Sequence, residues 1–325
     1  MNNLTHSLQK IGYPAVIAAC LLTITSVQAW TLPVGEFSFE AINDQVYVMH
    51  GPLEEPNIEN HGFMNNPAII IDEIGIILVD PGSSLQVGQQ VLAEIKKIST
   101  RPVIAVFNSH IHGDHFLANH AIRNQFPAAK IYGHREMIKQ VPTEGHSWIS
   151  LMSNLTGGLS DGTELVGPTE ALEDGMEITI GQQRFKFHSR LPSHTNTDIV
   201  IEHLNSKTVF LGDNGFNQRM GRFDSSASIF GNINILEALL ERDIEWIVPG
   251  HGMSGTKPDV LMPWLNYLYK LRDVVEAGFE EGLEAYEIKQ ESNQIFKHYE
   301  SWVGFKSNFG KHLSQMYLEV EQVAW

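Results

Sequence analysis

Short apolar runs alternate with polar segments from about residue 37 to residue 251. Runs of four to eight residues rich in Val, Ile and Phe are typical of buried strands, whereas apolar residues three and four apart are typical of amphipathic helices. Residues 85–98 show the helical spacing, with Val87, Val91 and Ile95 on one face. The alternation predicts an α/β protein.

The predicted strands are 37–42, 45–50, 67–71, 75–79, 103–107, 130–132, 177–180, 184–188, 198–202, 207–211 and 245–248. The helices predicted among them are 85–98, 116–124 and 229–242. Residues 139–168 are rich in Gly, Ser and Thr and follow no period, which predicts a long surface loop or a lid.

The pattern changes after His251, where residues 258–278, 283–298 and 306–320 are predicted to be helices. These helices form a C-terminal extension without obvious chemistry. Its apolar stripe is interpreted as a packing surface. The stripe consists of Trp264, Leu268, Leu271 and Val275.

Residues 1–29 have the pattern of a secretory signal peptide. Lys10 precedes the apolar segment 15–24, and Val27-Gln28-Ala29 has the small-x-small form of a cleavage site. A lipoprotein signal at Cys20 is the alternative, but the apolar residues after that cysteine argue against it. We therefore expect an exported, periplasmic protein. Cleavage after Ala29 would remove the only cysteine, so stability must come from the core and from bound metal.

The charge balance restricts the partners. The chain has 38 acidic and 22 basic residues, which give a formal net charge of -16. So acidic a chain repels phosphate backbones and anionic lipid surfaces, and no later segment is long and apolar enough to span a membrane. We expect a small-molecule substrate and no nucleic acid; the sequence identifies no protein partner.

Ligand-type side chains follow four of the predicted strands. The densest group is His110-Ile111-His112-Gly113-Asp114-His115, directly after strand 103–107. The other three strands are followed by His194, Asp213 and His251. Strand ends of an α/β sheet lie along one edge, so these separated residues are expected to converge.

Five histidines and two carboxylates exceed what one tetrahedral ion requires. They suit two ions that share a carboxylate and a bridging water or hydroxide, which would attack a carbonyl carbon. Zinc is preferred, although without a thiolate ligand the set also accommodates manganese or iron. Asp114 is expected to orient the nucleophile in addition to binding metal, so no Ser or Cys nucleophile is required.

The order of these motifs, including Gly212-Asp213 and Pro249-Gly250-His251, resembles the metallo-β-lactamase superfamily of binuclear metallohydrolases. The resemblance covers about residues 37–251 and implies a four-layer αββα sandwich with the metals at one edge. It implies two metals bridged by Asp213, with Asp80 orienting a ligand from behind, although the local sequence fits Asp80 equally well as a plain turn residue. By this resemblance the first metal is held by His110, His112 and His194, and the second by Asp114, His115 and His251.

Asp213 also separates the branches of this superfamily. Enzymes that hydrolyse β-lactams usually carry Cys or Ser at this position, whereas glyoxalase II and lactonase branches carry Asp. The segments 194–198 and 222–224 resemble exported members that accompany periplasmic quinoprotein dehydrogenases. The sequence thus predicts a signal peptide over 1–29, a metallohydrolase domain over 30–257 and a helical extension over 258–325.

The predicted reaction is hydrolysis of an ester, thioester, lactone or amide. One alternative is β-lactam hydrolysis. Another is an iron-dependent oxidoreductase of the same fold, similar to persulfide dioxygenases, although the presence of both His115 and His251 favours two metals. A third is a non-catalytic exported assembly factor that uses metal only for folding.

Overall fold

The computed structural model describes residues 37–324. The predicted signal peptide and Cys20 lie outside these residues. The first of two sheets contains seven strands in chain order, antiparallel from β1 to β4 and parallel from β4 to β7. They are β1 Glu40–Ala41, β2 Val46–Val48, β3 Ala68–Ile71, β4 Ile76–Val79, β5 Val103–Phe107, β6 Lys130–His134 and β7 Glu170–Leu172.

The second sheet has the strand order β12-β11-β10-β9-β8. Its strands β11 and β12 are parallel, and its other neighbours are antiparallel. They are β8 Glu177–Ile180, β9 Gln183–His188, β10 Val200–His203, β11 Thr208–Phe216 and β12 Trp246–His251. Most predicted strands are present with shifted ends, and the short strand β7 was not predicted.

The two sheets pack face to face through apolar side chains of their inner surfaces. Phe107 of β5 lies between Phe185 and Phe187 of β9, with ring centroids 4.9 and 5.3 Å apart. Helices cover both outer faces, which confirms the predicted αββα sandwich. The first sheet carries α1 Leu85–Ile98 and α3 Asn119–Gln125, and the second carries α5 Ile229–Leu240, α6 Met262–Glu280 and α8 Phe305–Ala324.

Residues 139–168 are not the predicted loop, because their first half belongs to helix α4, Arg135–Leu155. His134 caps the helix by accepting a hydrogen bond at Nδ1 from the backbone N–H of Glu136. Pro142 and Gly145 lie inside the helix. Both residues disfavour a helix interior, which explains why the sequence pattern missed it.

The C-terminal extension is helical, as predicted. A π-helical turn, Lys257–Leu261, leads into α6, and the predicted apolar stripe of α6 is buried. The predicted helix 283–298 is wrong in its second half, because α7 covers only Ala285–Ser292 and a 3₁₀ turn follows at Lys297–Ser301. The domain boundary at residue 257 stays a prediction. Among residues 37–324, no helix has the length and apolar character needed to cross a bilayer.

Candidate metal centre

The predicted ligands lie where strands of both sheets end near one edge of the sandwich. His110 and His112 follow β5, and Asp114 and His115 lie in the single-turn helix α2, Gly113–Phe116. The remaining ligands come from the second sheet. His194 lies in the loop between β9 and β10, Asp213 within β11 and His251 at the end of β12.

The sequence placed Asp213 and His251 after their strands, and this detail is wrong. Strands β11 and β12 continue to Phe216 and His251 through register shifts on either side of Gly212. Such irregularities redirect side chains at the end of a strand pair. Asp213 lies in this irregular part of β11, and its side chain contacts the histidines of the centre.

The structure brings all seven predicted ligands together in two groups. Within each group, one nitrogen or oxygen atom per side chain lies within 4.8 Å of the others. The first group is His110, His112, His194 and Asp213, and the second is Asp114, His115 and His251. Asp213 also contacts the second group, since its Oδ1 lies 3.0 Å from His115 Nε2 and 3.3 Å from His251 Nε2. Its Oδ2 lies 3.4 Å from His194 Nε2.

Several atoms that face this centre are buried, and their short contacts with one another lack hydrogen-bond geometry in the described chain. They are His110 Nε2, His115 Nε2 and Asp213 Oδ1. Buried polar atoms without partners are costly, and each of these is a good ligand atom for a divalent cation. The residues therefore fit one or two bound metal ions.

His251 and His115 are oriented by hydrogen bonds from Nδ1, the ring nitrogen that points away from the centre. His251 Nδ1 lies 2.8 Å from the carbonyl oxygen of Met64 and donates to it. His115 Nδ1 lies 2.9 Å from Asp80 Oδ2 and donates to that carboxylate. In the neutral rings these contacts keep the proton on Nδ1 and direct the Nε2 lone pairs of His251 and His115 into the centre, as metal binding requires.

His110 is fixed indirectly by Asp80. The Ser109 hydroxyl donates to Asp80 Oδ2 at 2.6 Å, so its oxygen is free to accept from His110 Nδ1 at 2.9 Å. The Ser109 N–H donates to Asp80 Oδ1 at 2.8 Å. One carboxylate thus contacts a histidine of each ligand group, directly for His115 and through Ser109 for His110.

His112 faces the centre with its other nitrogen. Its Nδ1 lies 3.1 Å from His194 Nε2, and its Nε2 lies 3.7 Å from Asp224 Oδ2. Asp224 is also held by the hydroxyl and N–H of Ser226. No local sequence pattern pairs Asp224 with His112, because the two residues are far apart in the chain and the contact is tertiary.

Burial and neighbouring charges determine the protonation of the centre. Burial lowers the pKa of His110 well below its usual range and that of His194 to about 3, so both rings are neutral. Burial alone would also lower the pKa of His115, but the Asp114 and Asp213 carboxylates raise it well above the usual value. These carboxylates thus favour a proton on His115 that a bound metal ion would displace, because neutral imidazoles and ionised carboxylates are the forms that bind metal.

The ligands open into one cavity of about 180 Å³, which is sufficient for a small molecule. One part of its lining is apolar and comes from α4, including Trp148 and Leu151. Another part is charged: Glu55 pairs with Arg219 at 3.1 Å and with Arg222 at 3.0 Å. The cavity therefore has apolar and charged sides near the ligand groups.

Other candidate side chains lie outside the two groups. His120 accepts from the Glu164 N–H, and His188 pairs with Glu202 at 2.6 Å. The segment Gly158-Leu159-Ser160-Asp161-Gly162 has the spacing of a serine-hydrolase elbow, yet it forms turns after α4 instead of joining a strand to a helix. Its Ser160 hydroxyl bonds to that of Thr156. Ser160 thus lacks the setting of a nucleophile.

The sequence profile described as Metallo-beta-lactamase superfamily matches residues 62–251. The chain belongs to the metallo-β-lactamase superfamily. Residues 62–251 contain all seven predicted ligands. Together with the relatives below, this membership makes the chain a metal-dependent hydrolase.

Several curated proteins are similar in sequence to the chain. A probable metallo-hydrolase of Methanocaldococcus jannaschii is 27% identical over 209 residues, which are 62% of this chain and 93% of the relative. A linear primary-alkylsulfatase of a Pseudomonas species is 24% identical over 62% of this chain, but only 41% of that protein is covered. A hydroxyacylglutathione hydrolase of Thermosynechococcus vestitus is 27% identical over 52% of this chain and 56% of its own length.

A solved structure of an alkylsulfatase shares the fold. The sec-alkylsulfatase Pisa1 from a Pseudomonas species has a TM-score of 0.68 at 17% identity, covering 87% of this chain and 50% of that one. At this identity the likeness shows the fold alone.

Proposed function

We propose that the protein is an exported binuclear zinc hydrolase that cleaves an ester, thioester, lactone or amide at its carbonyl carbon. The position of Asp213 carries the proposal. Its two carboxylate oxygens contact histidines of both ligand groups, at 3.4 Å to His194 and 3.0 Å to His115. A carboxylate shared in this way suits two ions better than one.

The two ligand groups would hold the zinc ions, and bound zinc would supply a water of lowered pKa and polarise the substrate carbonyl. The side chains of the protein would orient the attacking water. Asp114 lines the cavity, and its Oδ2 lies 3.2 Å from His251 Nε2 and 3.3 Å from His115 Nε2. From there its carboxylate can accept a hydrogen bond from the attacking water and direct the oxygen lone pair towards the carbonyl carbon.

Metal analysis combined with a substrate panel tests this proposal. We expect about two zinc ions per chain and zinc-dependent hydrolysis of at least one ester, thioester, lactone or amide. A β-lactam belongs in the panel as the alternative substrate. A single tightly held iron with oxygen consumption would instead support the oxidoreductase. Bound zinc without turnover on the whole panel would support a metal-dependent assembly factor.

A second candidate function is hydrolysis of an alkyl sulfate ester. The similarity to the linear primary-alkylsulfatase favours it, as does the apolar part of the cavity lining. Release of inorganic sulfate from octyl sulfate distinguishes the two reactions, because carbonyl hydrolysis cannot produce sulfate.

Export is part of the proposal and is supported only by the sequence of residues 1–29. We expect the full chain to be recovered from the periplasm of a Gram-negative host with Trp30 as its first residue. Amino-terminal sequencing of the periplasmic fraction tests this site. Recovery of uncleaved or lipidated protein would contradict it.

A further inference from the structure

Helix α4 presents an apolar face to the cavity above the ligand groups. The residues on this face are spaced three and four apart, so they lie on one side of the helix. They are Trp148, Leu151, Met152 and Leu155, and all line the cavity. Leu151 is 38% exposed and Leu155 is 39% exposed, so this face still has area to bury.

This face packs directly against residues of the candidate metal centre. The Trp148 ring lies 4.7 Å from the His112 ring, measured between centroids, and the Trp148 Cβ lies close to Gly113. Nearer the start of the helix, Met137 and Val141 are buried in a cluster that includes Ile111 of the histidine segment. The position of α4 relative to the ligands is therefore fixed by packing.

Exposed apolar side chains next to a reactive centre favour an apolar ligand, since each methylene that they bury stabilises the complex. From Trp148 to Leu155 the helix rises about 10 Å, at 1.5 Å per residue. A straight chain lying along this face would therefore start beside His112 and end at Leu155.

We propose that the substrate carries an unbranched apolar chain that lies along this face of α4, with its reacting group at the ligand histidines. The inference rests on the proposed function only for the reacting group. The chain contacts are the same whether the bond cleaved is a carboxylic ester, a thioester or a sulfate ester.

Binding of straight-chain carboxylates tests the inference without turnover. Calorimetry with the zinc-loaded protein compares acetate, butanoate, hexanoate and octanoate below their micelle concentrations. We expect the affinity to rise about two- to fourfold per methylene and to level off in longer chains that pass Leu155. An affinity independent of chain length would overturn the proposal.

Variants of the helix face locate the binding site. The double variant Leu151→Asn/Leu155→Asn is expected to reduce the ratio of octanoate to acetate affinity by about tenfold or more. The control is Leu318→Asn, a 52% exposed leucine of α8 that does not line the cavity, and it should keep the ratio. Equal ratios in both variants would mean non-specific adsorption and would overturn the proposal.

Folding and chemistry are separated by two further measurements. Leu151→Met keeps an apolar side chain and should keep the ratio, and circular dichroism checks that the double variant is folded. If octanoate binds in the expected way but no ester is hydrolysed, the proposed function fails and the chain-binding site stands. If short esters are hydrolysed but binding does not depend on chain length, the proposed function stands and the chain-binding site fails.

Discussion

Asp80 orients His115 from behind the centre: its Oδ2 lies 2.9 Å from His115 Nδ1. The carboxylate also accepts two hydrogen bonds from Ser109, whose hydroxyl in turn contacts His110. Asp80 has a backbone φ of 46°, a conformation that residues other than glycine rarely adopt. A strained position with this many contacts indicates that the surrounding structure holds Asp80 in place for orientation of the ligands.

The variant Asp80→Asn should weaken zinc binding. An amide group cannot accept from Ser109 and His115 with the full strength of a carboxylate, so the ligand rings lose their fixed tautomers. We expect zinc affinity to fall about 10- to 100-fold, measured by competition with a chromophoric chelator. The control is Asp72→Asn, a buried carboxylate that bonds to Gln182 and Gln183. Equal loss of affinity in both variants would remove Asp80 from this role.

The variant Asp213→Ala should no longer bind the second metal ion. Asp213 is the side chain that contacts histidines of both groups, so its loss is expected to leave about one zinc per chain and to reduce hydrolysis by more than about 100-fold. Circular dichroism should show the fold largely retained. The control Asp243→Ala removes an exposed carboxylate that pairs with Lys207 and should change neither quantity. Unchanged hydrolysis by Asp213→Ala would reject the bridging role.

Asp224→Ala should weaken the first ligand group through His112. Without the carboxylate 3.7 Å from its Nε2, the His112 ring loses the partner that directs Nδ1 to the centre. We expect about tenfold weaker binding of one zinc ion and little effect on the other. Ser226→Ala keeps the Asp224 carboxylate and should keep most of the affinity. If both ions bind as in the unmodified protein, Asp224 has no positioning role.

The convergence of the seven predicted ligands was predictable because each local sequence signal agreed with the fold. An apolar strand, a turn and a dense histidine segment follow each other at residues 103–115, and the remaining ligands lie near other strand ends. The structure then brings His194, Asp213 and His251 to the first segment across the two sheets. The sequence therefore indicated which residues lie together at the edge of the sheets.

Helix α4 and Asp224 show what the sequence did not reveal. The helix contains Pro142 and Gly145, and its stability depends on packing against residues such as Leu165, which fits against Gly145. Tertiary packing can override weak helix propensity, and no local pattern records it. The Asp224 contact with His112 likewise exists only after folding.

His312 provides a test of pH-dependent stability away from the metal ligands. Its Nε2 donates to the Gly221 carbonyl at 2.8 Å, so its Nδ1 accepts from the Tyr267 hydroxyl at 2.8 Å. Burial lowers the pKa of His312 to about 4, and the positive charge of Lys311 acts in the same direction. The folded protein therefore holds this ring neutral.

Below the unfolded-state pKa of about 6.5, the unfolded chain binds a proton at His312 that the folded chain does not. This residue thus decreases the free energy of unfolding by up to about 1.4 kcal/mol per pH unit as the pH falls from 6.5 towards 4, and has no such effect above 6.5. Denaturant titrations at pH 7.5, 6.5, 5.5 and 4.5 should show a shallower pH slope for His312→Gln than for the unmodified protein. The control His298→Gln, at an exposed position of the same extension, should keep the slope. Parallel slopes for His312→Gln and the unmodified protein would mean that His312 is protonated equally in both states.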